Sequence, residues 1–303
     1  MSGDKSDFDP KLNFAWLLIN SKCNLRCSYC YENKYGFKNE EMSVATLDSA
    51  MSYIDKNCAE GSEIGIYGGE PLISFNLIKY LFDTYPNKNY SLFTNTILMT
   101  DGILDFLSSR QDFLIMDISL DGDYCSQVKN RGVMYDEFMV RKILKTFRHT
   151  GVRMIVTEPE RCYDNCSSLV SLGAKRIDLN YPNFTVFPDN VYISEINKQL
   201  DRIRNDTLFK NVKITEPYYC TEQICEIGSK RVAIVPNGDI YPCDVFYFVD
   251  RYRVGDIFNG IDRTEYIKFV EDVKFLKSKD RPCPAHNYCM GNKCSENLYM
   301  DLR

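Results

Sequence analysis

The sequence predicts an α/β protein, an open partial (β/α)6 barrel followed by a small C-terminal extension. Three observations predict it. Short apolar runs alternate with helical patterns six times before about residue 205, the signature of a parallel sheet with crossover helices. Six such units are too few to close an eight-stranded barrel, so the sheet stays open. After residue 210 the texture changes to clustered cysteines, a hairpin signal and one helix.

The elements follow in order. Asn13–Ile19 is an apolar run that reads as the first strand and delivers the chain into a cysteine loop. Ser43–Asn57 reads as a helix with Ser43 as its cap. Glu63–Tyr67 reads as a strand, and Phe75–Tyr85 as a helix. Strand Ser91–Thr94, helix Gly102–Ser109, strand Leu114–Leu120 and helix Met134–Thr150 continue the alternation. Strand Val152–Val156, helix Cys162–Leu172, strand Arg176–Leu179 and helix Ile193–Asn205 complete it. A boundary near 210 separates a barrel domain (1–210) from the extension (211–303). There Lys230–Val235 and Ile240–Tyr241 flank Pro236-Asn237-Gly238-Asp239, a hairpin signal because Asn-Gly tolerates positive φ. The helix of the extension is Ile261–Phe275.

Composition narrows the function. A net charge of −5 and no dominant basic stripe argue against a nucleic-acid partner. With no apolar run near 18 residues and no signal peptide, a cytoplasmic protein without a membrane partner is expected. Thirteen cysteines, an odd number clustered at both ends of a long chain, suit metal clusters better than a disulfide scaffold.

Cys23-Asn-Leu-Arg-Cys27-Ser-Tyr-Cys30 is a C-x3-C-x2-C run. Three thiolates at this spacing can hold three irons of a [4Fe–4S] cube and leave the fourth iron open, whereas electron-transfer ferredoxins close the cluster with four cysteines. The competing reading is a zinc site, which wants a fourth nearby Cys or His. Cys58 is the nearest candidate in the sequence, and the chain has two histidines. Tyr67-Gly68-Gly69-Glu70-Pro71 ends the second strand; its glycines allow close backbone approach, and its carboxylate can accept from an ammonium group. Ile118-Ser119-Leu120-Asp121-Gly122 ends the fourth strand, with Arg131 ten residues after Asp121; a hydroxyl and an arginine fork suit a carboxylate.

Taken in order, these motifs resemble the radical S-adenosylmethionine (SAM) superfamily. The resemblance implies that Cys23, Cys27 and Cys30 carry a catalytic [4Fe–4S] cluster whose open iron is chelated by SAM. It also implies that Gly68, Gly69 and Glu70 meet the SAM amino group, and that Ser119 and Arg131 meet its carboxylate. The subgroup usually has a His-Asp pair before that arginine; this chain has Gln127-Val128-Lys129. Asn95, beside Thr94, would line the ribose pocket, and Leu179 to Tyr181 an adenine wall. Tyr29 and Tyr31 would cover the cluster. Reductive cleavage of SAM would give a 5′-deoxyadenosyl radical that abstracts hydrogen from an inert C–H bond. With 22 residues before Cys23, no leader-binding winged domain is expected ahead of the barrel.

In the tail, Cys225, Gly238 and Cys243 form a C-x12-G-x4-C pattern around the hairpin, and Cys283, Cys289 and Cys294 follow. This is similar to the SPASM/twitch extension, which carries auxiliary iron–sulfur clusters. Asp280 stands where a further cysteine is usual, so one auxiliary [4Fe–4S] cluster is expected rather than two. By order its ligands would be Cys220, Cys225, Cys243 and Cys294, with Cys283 and Cys289 as alternatives or as ligands of an incomplete second cluster. A zinc ribbon is the competing reading. Tyr241-Pro242-Cys243-Asp244 resembles anaerobic sulfatase-maturating enzymes, in which that Asp is the proposed general base; the competing role for Asp244 is a turn cap or an ion pair with Arg251 or Arg253. Together these features imply oxidative modification of a peptide or protein side chain, such as a crosslink, thioether or formylglycine, with a flavodoxin or ferredoxin as electron donor. The alternatives are a twitch-type dehydrogenase of a small carbohydrate or aminocyclitol, and a peptide epimerase.

Overall fold

The computed structural model describes residues 11–30, 32, 36, 38–182, 190–215, 230–248 and 250–278. In chain order its strands are β1 (Leu12–Asn20), β2 (Cys58–Gly68), β3 (Asn89–Thr94), β4 (Leu114–Ser119), β5 (Thr150–Ile155), β6 (Arg176–Asn180), β7 (Lys213–Thr215), β8 (Arg231–Ile234), β9 (Asp239–Tyr241), β10 (Gly255–Asp256) and β11 (Gly260–Ile261). The helices are α1 (Val44–Asn57), α2 (Phe75–Thr84), α3 (Asp101–Ser108), α4 (Tyr124–Arg131), α5 (Glu137–Thr146), α6 (Cys162–Leu172), α7 (Asn190–Asn205) and α8 (Arg263–Ser278). The chain divides into two compact units, Met1–Lys22 with Lys38–Tyr90 and Glu222–Arg303, and Cys23–Phe37 with Ser91–Thr221.

In the first unit β1 and β2 run parallel, aligned from Phe14↔Glu63 to Leu18↔Tyr67. Alternation along the strands directs Ala15, Leu17, Ile19, Ile64 and Ile66 to one side, where all are fully buried. Helix α1 packs on both strands and buries Leu47, Ala50, Met51 and Ile54. Each large apolar side chain so buried contributes roughly 1.5–3 kcal/mol. The helix starts where the sequence places it, with Ser43 Oγ accepting from the Thr46 amide at 3.0 Å. The hairpin around Asn237-Gly238 forms as β8 and β9, and it becomes part of the main sheet. Strand β8 lies parallel to β1, from Phe14↔Arg231 to Leu17↔Ile234. The strand order in this unit is β11-β10-β9-β8-β1-β2. Helix α8 is seated by Phe269, whose ring meets Phe246 and Tyr252 edge-on at 5.3 and 5.6 Å.

In the second unit the order is β3-β4-β5-β6-β7, with β4 to β7 all parallel. Met116, Ile118, Val152, Met154, Ile177 and Leu179 form its apolar face. The opposite face is polar: Asp117, Ser119, Arg153, Arg176 and Asp178 alternate with them. Gly151 lies on this polar face because Arg176 crosses it to reach Asp117; a Cβ at Gly151 would stand 2.2 Å from Arg176 Nε.

Two differences from the expected elements have local causes. The helix expected over Met134–Thr150 is shorter, α5 (Glu137–Thr146), and a further helix, α4, precedes it. Gly132 ends α4 in the left-handed region (φ 76°), and Asp136 starts α5 by accepting from the Met139 amide at 3.0 Å. The polar sequence of α4 offers no apolar stripe to mark it. Strand β7 adds one more parallel strand beside β6; at three residues it is too short to announce itself by alternation. No helix among the described residues is long and apolar enough to cross a membrane.

Candidate active site

In the second unit Cys23, Cys27 and Cys30 are half-buried on one short loop. The loop is folded by its own hydrogen bonds. The Leu25 amide donates to Cys23 Sγ at 3.4 Å, the Cys30 amide to the Cys27 carbonyl at 3.0 Å, and Arg26 Nη1 to the Cys23 carbonyl at 2.8 Å. Burial pushes the Cys27 thiol up; Arg131 pulls it down and Asp121 adds to the rise. Asn24 Oδ1 accepts from Asn95 Nδ2 at 2.8 Å, so Asn95, at the end of β3, braces this loop.

The residues after β4 hold the same loop from another side. Asp121 is fully buried and receives Arg131 Nε and Nη2, both at 3.0 Å, the Tyr29 hydroxyl at 2.7 Å and the Ile155 amide at 3.1 Å. Its own amide donates to Gln127 Oε1 at 2.9 Å, and the Ser28 amide donates to the Asn130 carbonyl at 2.8 Å. Arg131 is therefore not a solvated arginine at a turn. Its fork is set on Asp121, and it is 6% exposed. Desolvation and the Asp121 carboxylate drive the Tyr29 phenol well above its ordinary value, which keeps it a donor. The expected second aromatic cover, Tyr31, lies outside the described residues.

Ser119 ends β4 on the polar face, directly beside Arg153 of β5. The Arg153 guanidinium lies 5.0 Å from the Phe93 ring centroid on β3, so it reaches across β4. It makes no ion pair among the described residues, whereas Arg176 is engaged by Asp117 and Asp178. Sequence reasoning missed Arg153; its position in a strand opposite the Ser-Leu-Asp-Gly end was the available signal. Leu179, the expected adenine wall, is 2% exposed on the apolar face of β6 with Ile177.

In the first unit, Gly68 has φ 151°, and a Cβ there would lie 2.2 Å from the Asn20 carbonyl oxygen. Only glycine lets β2 end this close to β1. The Gly69 amide donates to the Asn20 carbonyl at 3.3 Å, and the Glu70 amide to the Lys22 carbonyl at 2.7 Å, next to Cys23 in the chain. Glu70 is 1% exposed, and its Oε1 accepts from the Leu72 amide at 3.0 Å, capping the 3-10 turn Pro71–Ser74. Asn20, also missed from sequence, ties the strap together. Its Nδ2 donates to the Glu70 carbonyl at 3.1 Å and to Ser74 Oγ at 2.9 Å, and its Oδ1 accepts from the Lys22 amide at 3.0 Å.

The tail places Asp244 at the start of a 3-10 turn, Asp244–Phe248, where it is 9% exposed and accepts from Cys243 Sγ at 3.0 Å. The turn is tied to residues 38–40. Lys38 Nζ donates to the Tyr247 carbonyl at 3.0 Å, the Tyr247 hydroxyl donates to Glu40, and the Ser21 amide donates to the Glu40 carbonyl at 2.9 Å. Arg253 pairs with Asp239 and Asp256, and Arg251 donates to the Tyr252 hydroxyl. Cys220, Cys225, Cys283, Cys289 and Cys294 lie outside the described residues.

The donor set of the cysteine loop fits an iron–sulfur cluster bound through three thiolates: three half-buried cysteines stand on one loop, and Cys23 already accepts an amide N–H as a cluster sulfur does. Cys58 belongs to the first unit and not to the cysteine loop. It pairs with Leu12 at the beginning of β1, while the loop leaves from the end of that strand at Asn20, about 25 Å away at strand rise.

Comparison with known proteins agrees with this chemistry. Residues 17–160 match the family model described as the Radical SAM superfamily. An uncharacterized protein of Methanocaldococcus jannaschii is 30% identical over 90% of this chain and 94% of its own. A GTP 3',8-cyclase of Clostridium perfringens is 29% identical, covering 98% of both chains, and a cysteine-type anaerobic sulfatase-maturating enzyme of the same species is 23% identical over 94% and 86%. Among solved structures, anSMEcpe with bound AdoMet and Kp18Cys peptide superposes with a TM-score of 0.68 at 19% identity, over 92% of this chain and 88% of that one. Streptococcus suis SuiB bound to its precursor peptide SuiA gives 0.66 at 14%, over 85% and 65%. These structures share the α/β fold with its partial barrel-like parallel sheet. The chain belongs to the radical SAM superfamily, whose members use a [4Fe–4S] cluster and SAM.

Proposed function

We propose that this radical SAM enzyme oxidatively modifies a side chain of a peptide or protein, with Asp244 as the base. The observation that carries this reading is the buried Asp244 carboxylate, which accepts from the Cys243 thiol and is anchored, through Tyr247 and Glu40, to the end of β1. The fold shared with two proteins solved with bound peptides supports it. Cys23, Cys27 and Cys30 would hold the cluster, and Gly68, Gly69 and Glu70 would receive the amino end of SAM. Since Asp121 engages Arg131, Ser119 and its neighbour Arg153 would receive the carboxylate, a charge-assisted pairing. Asn95 would hold the ribose side; Leu179 lies on the face of β6 opposite Ser119 and Arg153, so of the expected wall Asn180 would take the adenine side. When bound, cluster and SAM supply hydrogen abstraction from an unactivated C–H bond. The protein's part is to orient that carbon, exclude water, and let Asp244 take the hydroxyl or thiol proton as the second electron leaves. Cys220, Cys225, Cys243 and Cys294, with Cys283 and Cys289 in reserve, would hold the auxiliary cluster that accepts it.

The test is an anaerobic assay with SAM, a one-electron reductant and peptides bearing Ser or Cys, reading 5′-deoxyadenosine and peptide mass. Modified peptide is expected. In Asp244→Asn, SAM cleavage should persist within a few fold while modified peptide falls about 100-fold or more. Turnover of GTP or an aminocyclitol with no peptide product would overturn the reading.

A further inference from the structure

Arg131, Asp121 and Tyr29 make a closed polar cluster that no substrate role explains. Asp121 is 0% exposed and Arg131 6%, so neither charge is solvated, and each satisfies the other through a two-bond fork. A buried pair of this kind is strongly destabilised if either partner is removed. The third member is in the cysteine loop: Tyr29 lies between Cys27 and Cys30 and donates to the carboxylate oxygen that accepts from Arg131 Nε. The same turn is held again one residue earlier, where the Ser28 amide meets the Asn130 carbonyl at the end of α4. Asp121 also accepts from the Ile155 amide, which ties the cluster to the end of β5. Three elements thus converge on two consecutive residues of the loop that carries the thiols.

We propose that Asp121, Arg131 and Tyr29 form a buried lock that fixes the Cys27–Cys30 turn and so governs retention and environment of the cluster bound there. Arg131 is then a positioning residue for the loop. The inference rests on the cysteine loop as the cluster site and is independent of the substrate proposed above. It explains why Asp121 sits at the end of β4 with its own amide pinned by the buried Gln127. A carboxylate there must be held rigidly to align three donors from different segments.

The test uses full-length, anaerobically reconstituted protein and variants Tyr29→Phe, Arg131→Lys and Asp121→Asn. Two quantities are read: the rate at which a chelator removes the iron that depends on Cys23, Cys27 and Cys30, and the EPR spectrum of the reduced cluster with and without SAM. Tyr29→Phe removes one bond and no charge, so the iron-free protein should melt as wild type while iron loss accelerates about tenfold and the EPR signal shifts. Arg131→Lys keeps the charge but loses the fork and should also release iron faster. Asp121→Asn should release it fastest; if that variant does not fold, Tyr29→Phe still decides. Iron loss and EPR within twofold of wild type in Tyr29→Phe would overturn the lock. So would an Arg131→Lys protein that keeps its iron at the wild-type rate and loses only the spectral response to SAM, because Arg131 would then be a ligand of SAM.

Discussion

Replacing Asn20 by alanine should loosen the strap that follows β2, and the size of the effect follows from the side chain's contacts. The amide is fully buried and makes three hydrogen bonds, to the Glu70 carbonyl, Ser74 Oγ and the Lys22 amide. Each is worth about 0.5–1.5 kcal/mol net, and stranding a buried partner costs more than the mean. Because the three share one small side chain, a total of about 2–4 kcal/mol is expected for Asn20→Ala. Urea unfolding of the iron-free, reduced protein can be followed by Trp16, the single tryptophan, which lies on β1 and meets Tyr67 edge-on at 5.4 Å. With a slope of about 2–3 kcal/mol/M the midpoint should fall by about 1 M. Asn20→Asp should do at least as badly, since it keeps the acceptor for Lys22 but turns an anion toward the Glu70 carbonyl. A loss below about 0.5 kcal/mol in Asn20→Ala would show that water or repacking replaces these bonds, and the argument that Asn20 ties the strap would fail.

Arg153→Ala should weaken SAM binding by tenfold or more, as loss of a charge-assisted hydrogen bond does, while iron content stays at the wild-type value; equilibrium dialysis and iron assay read the two separately. Replacing Cys23, Cys27 and Cys30 together by alanine should remove about four irons per chain and leave any held by the tail in place, as read by iron and sulfide analysis.

Most of the strand and helix order was legible because each element advertises a simple physical rule. Ser43 caps α1 as its side chain requires, and Asn237-Gly238 turns β8 into β9. The cysteine spacing and the Gly-Gly-Glu-Pro and Ser-Leu-Asp-Gly runs picked out the loops on which the proposed function rests. The missed features are those that depend on partners distant in sequence. Arg131 reads from the sequence as a fork suited to a carboxylate, and only the folded chain shows Asp121, ten residues earlier, turned back onto it. Arg153 and Asn20 sit inside strands, where a polar residue carries no local signal until the neighbouring strand is known. Helix α4 was passed over because its stability comes from its caps and not from an apolar stripe.

The pairing of β8 with β1 has a consequence for how the protein is born. Leu17 is aligned with Ile234, 217 residues further along the chain. At about 5–20 residues per second a ribosome takes roughly 10–40 s to deliver the partner of a strand it made near the start. During that interval one edge of β1, flanked by Ala15, Trp16 and Leu17, has backbone groups with no neighbour of their own chain to meet, and such an edge invites pairing between molecules. A nascent chain stalled before residue 230 would carry the cysteine loop and every barrel motif, yet present an open strand edge to its neighbours. Slow, non-local closure of this kind makes aggregation of incomplete chains the principal hazard of producing the protein.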